Sequence, residues 1–402
     1  MSTATTAPNI VFILADDLGY ADLSVYGQRN YTTPHLDRLA GEGVRFTQAY
    51  ANSAVCSATR LALITGRYQY RLAAGLEEPI PSNAANIGLP PEHPTLPSLL
   101  KAAGYDLAPD LYEGTVPVER TGYYTYVLAD EAEKYVRERA TQANPFFLSL
   151  HFTAPHWPWE GPHDEAVSRQ LKDLFHYDGG TQRTYGEIVQ ALDAAVGQVL
   201  HALEATGQAE NTIVVFTSDN GGERFSDTWP FVGQKTELLE GGLRVPTLLR
   251  WPARLQPQVQ TQVTATMDWL PTLLAAAQAP VDGQYPSDGV NLLPVLQGQQ
   301  PVHPRQLFWR YKSQSQRALR DGDWKYLKIN EHEFLFHVVD DPRERANLRE
   351  RQPEVFARLK AAWELRNQDF LEITPQTFTH GLTPDIQADR YVPSRLARHV
   401  RK

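Results

Sequence analysis

The chain has 402 residues, 42% of them hydrophobic, enough for a large buried core and suited to one large domain followed by a smaller one. A formal net charge of −9 without a Lys/Arg-rich run excludes the footprint of a nucleic-acid or membrane-surface protein, so an anionic ligand must be met by a local cationic pocket or a metal. The single cysteine, Cys56, excludes an intrachain disulfide, and no apolar segment reaches the roughly 18 residues of a membrane span. The polar start has no basic region with a long apolar stretch behind it, which predicts no signal peptide and a cytoplasmic protein.

In chain order, Asn9 to Leu14 is a short run of Ile, Val and Phe that stops abruptly at Ala15-Asp16-Asp17-Leu18-Gly19. Helix-like segments follow at roughly 34–43, 57–65, 94–103 and 125–140, then a second apolar run from Pro145 to Phe152 and a helix over 181–206. Thr212 to Thr217 repeats the first pattern and ends in Ser218-Asp219-Asn220-Gly221-Gly222. Apolar runs rich in β-branched and aromatic residues read as strands buried on both faces. Their alternation with helices predicts an α/β fold, a large mixed, mostly parallel sheet sandwiched by helices. Beyond about residue 300 the texture changes. Gln306 to Tyr311, Ser315 to Leu319, Trp324 to Lys328 and Glu333 to Val338 predict a smaller C-terminal antiparallel sheet, 340–348 a turn, and 352–366 an amphipathic helix. We divide the chain into 1–298, 299–375 and a polar tail over 376–402.

Ligands of such sheets collect beyond the carboxyl ends of the strands. Asp16, Asp17, Asp219 and Asn220 follow two such strands. If the strands are neighbours, three carboxylates and an amide oxygen converge, and they need a cation between them. Oxygen donors of this kind suit Ca²⁺ or Mg²⁺; helix capping and turn chemistry are the competing explanation. Cys56 stands just before or at the start of a helix that Gly66 would end, where the dipole favours an anion, and Arg60 lies one turn on. A lone cysteine is by default a small buried hydrophobe. The Cys56-to-Arg60 gap is too short, and too poor in glycine, for a cysteine phosphatase.

Cys56-Ser-Ala-Thr-Arg60, with Leu61 and Thr65-Gly66-Arg67, resembles the signature Cys-x-Pro/Ala-x-Arg of the formylglycine-dependent (type I) sulfatases, members of the alkaline-phosphatase-like superfamily. Asn9 to Gly19 and Thr217 to Gly222 resemble the two metal motifs of that family. Thr32-Thr-Pro-His-Leu-Asp-Arg-Leu-Ala40 with Gly43-Val-Arg-Phe46 resembles its first helix, and Gly233 to Pro246 its lysine loop. Ala318 to Leu327 and Asp340 to Leu348 resemble its C-terminal subdomain, so the similarity spans most of residues 8–350.

The resemblance implies a hydrolase of a small sulfated organic or sugar substrate. A separate formylglycine-generating maturation enzyme would oxidise Cys56 to formylglycine. One hydroxyl of the hydrated aldehyde would attack sulfur, and the other would lose its proton to expel sulfate. Ca²⁺, or Mg²⁺, would sit on Asp16, Asp17, Asp219, Asn220 and the modified Cys56. Arg60 would hold the formylglycine, His156, in Thr153-Ala-Pro-His-Trp-Pro158, would serve the leaving group, and Lys235 would bind sulfate.

One departure stands out. After Gly104-Tyr105 the family continues into a strand and a Gly-Lys-Trp-His-Leu-Gly segment; this chain reads Asp106-Leu-Ala-Pro-Asp-Leu-Tyr-Glu-Gly-Thr-Val-Pro-Val-Glu-Arg120. The strand, its lysine and its histidine are expected to be absent, which leaves a catalytically impaired relative as one alternative. A phosphate or phosphonate ester hydrolase on the same scaffold is another. His151 is a substitute for the absent histidine, unless strand alternation buries it. Trp157, Trp159, Trp229 and Phe231 hint at an apolar, sugar-stacking wall.

Overall fold

A computed structural model describes residues 7–81, 87–108, 112–113, 116–117, 120–170 and 180–381. In chain order its main elements are β1 (Asn9–Ala15), α1 (Pro34–Glu42), β2 (Val44–Phe46), α2 (Cys56–Thr65), α3 (Leu96–Ala102), β3 (Asp106–Leu107), α4 (Tyr124–Arg139), β4 (Phe146–His151), α5 (Gln182–Ala205), β5 (Thr212–Ser218), β6 (Thr247–Arg250), β7 (Gln258–Gln260) and α6 (Trp269–Ala277). The C-terminal part adds β8 (Gln306–Tyr311), β9 (Gln316–Asp321), β10 (Trp324–Ile329), β11 (His332–His337) and α7 (Pro353–Asn367).

Among the described residues the large sheet has seven strands in the order β7-β2-β6-β5-β1-β4-β3. Every pairing is parallel except the two made by β6. β1 and β5 are buried almost throughout, as continuous apolar runs require. Alternation along β1 then divides the core. Val11, Ile13 and Ala15 pack with Leu36 and Leu39 of α1, Val136 of α4 and Val196 of α5. Ile10, Phe12 and Leu14 face Leu63 of α2, Leu100 of α3 and Leu273 of α6. The sheet is therefore sandwiched, as the sequence predicts.

The edge departs from expectation. Asp106–Leu107 forms a two-residue strand parallel to β4, so the strand expected to be lost survives as a stub. Tyr112–Glu113 and Val116–Pro117 make a minimal antiparallel pair beyond it. The polar tail is also tied down at its start: Glu78 N donates to Phe378 O and His380 N to Glu78 O. The rest of that tail, 382–402, lies outside the described residues.

The four-stranded antiparallel sheet β8-β9-β10-β11 packs with Leu359 and Trp363 of α7 and with Ala58 and Ala62 of α2. So α2 is clamped between the two sheets. A buried ionic network joins the sheets as well. Lys325 on β10, fully buried, lies 3.0 Å from Glu240 and 2.9 Å from Glu344. Glu240 also accepts from Arg244 Nε at 2.9 Å and from the Tyr50 hydroxyl at 2.6 Å, and Arg320 donates to Tyr50. Burial works to raise the Glu240 carboxyl, yet Lys325 and Arg244 hold it below the usual range; burial pushes Glu344 up. The 340–348 stretch, read from sequence as a turn, thus carries a buried ion-pair partner. Removing one member of such a network strands the others in low dielectric. Lys325→Met should cost about 3–5 kcal/mol of folding stability, read from the denaturant midpoint; a loss well under about 1 kcal/mol would show that the two glutamates find other support.

Candidate active site

The parallel register of β1 and β5 sets Ala15 opposite Ser218, so the residues that follow emerge level with each other. Asp219 N donates to Ala15 O, Asp17 N to an oxygen of Asp219 at 3.2 Å, and Leu18 N to the Ser218 hydroxyl at 3.0 Å. Asp17 lies in the left-handed region at φ 63, a conformation aspartate tolerates better than most residues. The glycine after Asn220 is required by space: a Cβ on Gly221 would meet Gly241 O at 1.9 Å.

α2 begins at Cys56 itself, with no side-chain cap at Val55, and ends at Gly66 in the left-handed conformation at φ 65. The start of α2 is held by Ser53 and Thr59, whose backbone and hydroxyl bond each other, and by Thr236 N donating to Ala54 O. Cys56, Asp16 and Asp219 place ligand atoms within 4.8 Å of one another, as do Asp16, Asp17 and His156.

Two cations restrain this cluster, the half-buried Arg60 and the buried Lys235. Arg60 donates through Nε to Asp219 at 2.9 Å and through Nη2 to Asp16 at 2.9 Å. Lys235 Nζ lies 2.6 Å from Asp17 and 3.8 Å from Glu223. Lys235 N donates to Gly222 O, which aims the residue back at the strand end. Its neighbour Thr236 sits at φ 72, a strained position for a β-branched side chain, held by Ala54 O and by Gln316, which donates to Thr236 O.

The electrostatics follow from burial and charge. Burial, Asp219 and Asp17 push Asp16 well above the ordinary carboxylate range. Burial would raise Asp17 too, but Lys235 and His156 hold it below that range. Burial disfavours the charges on Arg60 and Lys235, yet their carboxylate partners hold both above their ordinary values. The Cys56 thiol is pushed up to about 12 by burial and by Asp16 and Asp219. As encoded it stays un-ionised at neutral pH, and a thiol is a poor nucleophile.

A hard cation fits this donor set. Asp16 Oδ1 and Asn220 Oδ1 are buried with no hydrogen-bond partner, although Asn220 Nδ2 donates to Asp17 at 2.7 Å. With all four ionised, as a cation between them would favour, the carboxylates of Asp16, Asp17, Asp219 and Glu223 face two cations, Arg60 and Lys235, which leaves two negative charges. That is the charge of one divalent ion, and oxygen donors are its preferred ligands.

His156 donates from Nδ1 to Trp157 O at 2.6 Å, which turns Nε2 toward Asp17 at 3.5 Å. His151 is not buried in the core but turns its ring to Arg60. Its Nδ1 accepts from Arg60 Nη1 at 3.2 Å and its Nε2 bonds the Ser149 hydroxyl at 2.8 Å, so it meets the third face of the guanidinium. A cavity of about 700 Å³ opens beside Asp16 and His156, and Trp157 lines it. The other three aromatics do not. Trp159 and Phe231 are buried in the core, and Trp229 lies exposed under Arg343. Polar loops placed those side chains near the motif in sequence, and packing drew two of them inward.

The sulfatase family model matches residues 8–279. The chain is 30% identical over 388 residues to N-acetylgalactosamine-6-sulfatase of Canis lupus familiaris, covering 80% of this chain and 72% of that protein. It is 28% identical over 481 residues to arylsulfatase A of Homo sapiens, covering 94% and 92%. Among solved structures, Ps i-CgsB superposes with a TM-score of 0.82 at 26% identity over 98% of both chains.

Arg60→Lys keeps the charge but loses the planar fork that reaches Asp219, Asp16 and His151 together. It should lower folding stability by about 1–3 kcal/mol in thermal or denaturant unfolding; unchanged stability would mean that charge alone suffices there.

Proposed function

Because the chain belongs to the sulfatase family, and is by that membership a sulfuric ester hydrolase, we propose that it cleaves sugar sulfates using a formylglycine formed from Cys56. A divalent cation, calcium before magnesium, would be held by Asp16, Asp17, Asp219, Asn220 and the modified residue 56. The convergence of Cys56, Asp16 and Asp219 within 4.8 Å carries the reading. A relative named for N-acetylgalactosamine 6-sulfate supports a sugar ester as substrate. The relatives are sulfatases, so the phosphate or phosphonate ester reading is not favoured.

When bound, the cation polarises the sulfate and eases ionisation of the attacking hydroxyl, which the hydrated aldehyde supplies. The chain's own residues do the rest. Arg60, fixed on Asp16 and Asp219, sits one turn from residue 56 and neutralises charge that develops there. Lys235 remains an ammonium within electrostatic reach of Cys56 and attracts the sulfate oxygens. His156, with its Nδ1 proton committed to Trp157 O, leaves Nε2 facing the site, and as an imidazolium it would hand the Nε2 proton to the departing alcohol and revert to the neutral ring. His151 is a positioning residue that keeps the guanidinium in plane.

Three measurements test this. In protein made with a maturation enzyme, the Cys56 peptide should weigh about 18 Da less than encoded, as conversion of a thiol to an aldehyde requires; an unmodified peptide in the native host would defeat the formylglycine route. Calcium should raise the melting temperature and chelation should abolish sulfate release, with both effects lost in Asp219→Asn. His151→Phe should lower kcat by about 10²-fold with KM little changed, the signature of misplaced machinery; full activity would remove His151 from the site.

A further inference from the structure

The cavity beside the acidic cluster constrains what the sulfate is attached to. The described residues that line it include three carboxylates, Asp16, Glu160 and Glu165, and no lysine or arginine. Arg169, just past the short helix that starts at Glu165, lies 2.5 Å from Glu165 and offsets that carboxylate, Arg183 lies 2.9 Å from Glu187 and Arg120 2.8 Å from Glu131, which leaves Glu160 as the uncompensated carboxylate of the wall among the described residues. Asp164, which accepts from Gly161 N at 2.8 Å, adds to the negative field. The Tyr123 phenol registers that field: burial first, then neighbours that include Glu160 and Asp164, push it up to about 12. Tyr123, Tyr124 and Trp157 supply aromatic surface in the same wall.

Among the described residues the cations of this site are Arg60 and Lys235, at the position where a sulfate would bind, and the wall beyond is aromatic, with Glu160 and the adjacent Asp164 adding negative charge. A second sulfate or a carboxylate on the substrate would meet repulsion from Glu160 there. Sugar hydroxyls can donate to Glu160 and Glu165 while the apolar face of the ring rests on an aromatic side chain. An ammonium substituent would pair with Glu160. We infer that the group bearing the sulfate is a neutral or cationic sugar ring, and that this chain acts on singly sulfated residues with no second anion beside them. The inference rests on the sulfatase reading of the site.

The test compares four esters on the metal-loaded, matured enzyme: phenyl sulfate, galactose 6-sulfate, galactosamine 6-sulfate, and galactose 6-sulfate linked to glucuronate. kcat/KM comes from released sulfate and Kd from calorimetry on the same set. The neutral and cationic sugars should exceed the glucuronate-linked ester by about tenfold or more in both readouts, and Glu160→Lys should shrink or reverse that order. Equal or better handling of the glucuronate-linked ester by the wild type, or an order that Glu160→Lys leaves intact, overturns the inference. Sulfate release from any of the four esters separates the two readings. If sulfate is released and the anionic ester is preferred, only the cavity assignment falls. If none of the four esters is cleaved, the sulfatase reading falls, and the order of Kd values alone decides the cavity assignment.

Discussion

Register is the constraint from which the site descends. Pairing Ala15 with Ser218 forces Asp16, Asp17 and Asp219 onto one rim, where their mutual repulsion in a dry environment opposes folding. Asp16 records the conflict in a carboxyl driven well above its ordinary range. Arg60 and Lys235 offset part of it, each by contacts shorter than 3 Å. The cost is tolerable because the strands beneath are apolar and buried, so hydrophobic burial fixes the register independently of the charges. A site that concentrates negative charge in this way is poised for a cation, and the two buried oxygens with no protein partner mark where one is wanted.

The small C-terminal sheet serves the same rim. Gln316, at the start of β9, donates to Thr236 O and accepts from Leu238 N, pinning the segment that follows Lys235. Glu240, in that loop, is gripped by Lys325 of β10 and by Arg244. The strained backbone at Thr236 is therefore paid for by the C-terminal sheet, and the direction of the Lys235 ammonium depends on residues some eighty positions downstream. The same sheet packs on α2 from behind, so the helix carrying Cys56 and Arg60 is fixed on both sides. The subdomain reads as the rear support of the site rather than an appendage.

Much of this was legible in the sequence because the signals were local. Apolar runs that stop at acidic pairs gave the strands and their tips, and Gly66 marked the end of α2 where the left-handed residue is found. What escaped depends on chain segments far apart. Lys325, Glu240 and Glu344 look like ordinary surface charges until the two sheets meet. His151 could be placed inward or outward by alternation alone, and only the proximity of α2 to β4 selects Arg60 as its partner. Trp159 and Trp157 sit two apart in one loop, yet one is buried against Phe225 and the other lines the cavity. The stub at Asp106–Leu107 was missed because two residues carry no periodicity; backbone pairing with β4 defines it.

Charge is sorted along the site. The two cations lie among the carboxylates at the strand tips, and among the described residues the cavity wall beyond them carries carboxylates and no lysine or arginine. On a chain of net charge −9 an anion gains little from the overall field, and its attraction comes locally, where a guanidinium, an ammonium and a doubly charged ion would meet it together. Such an arrangement sacrifices long-range attraction for discrimination, since a sulfate held only there is distinguished from anions that bind by field alone. It also bears on turnover. Once the ester is cut, the free sulfate carries one more negative charge than the ester did, and the surrounding carboxylates favour its departure as much as they hindered its arrival.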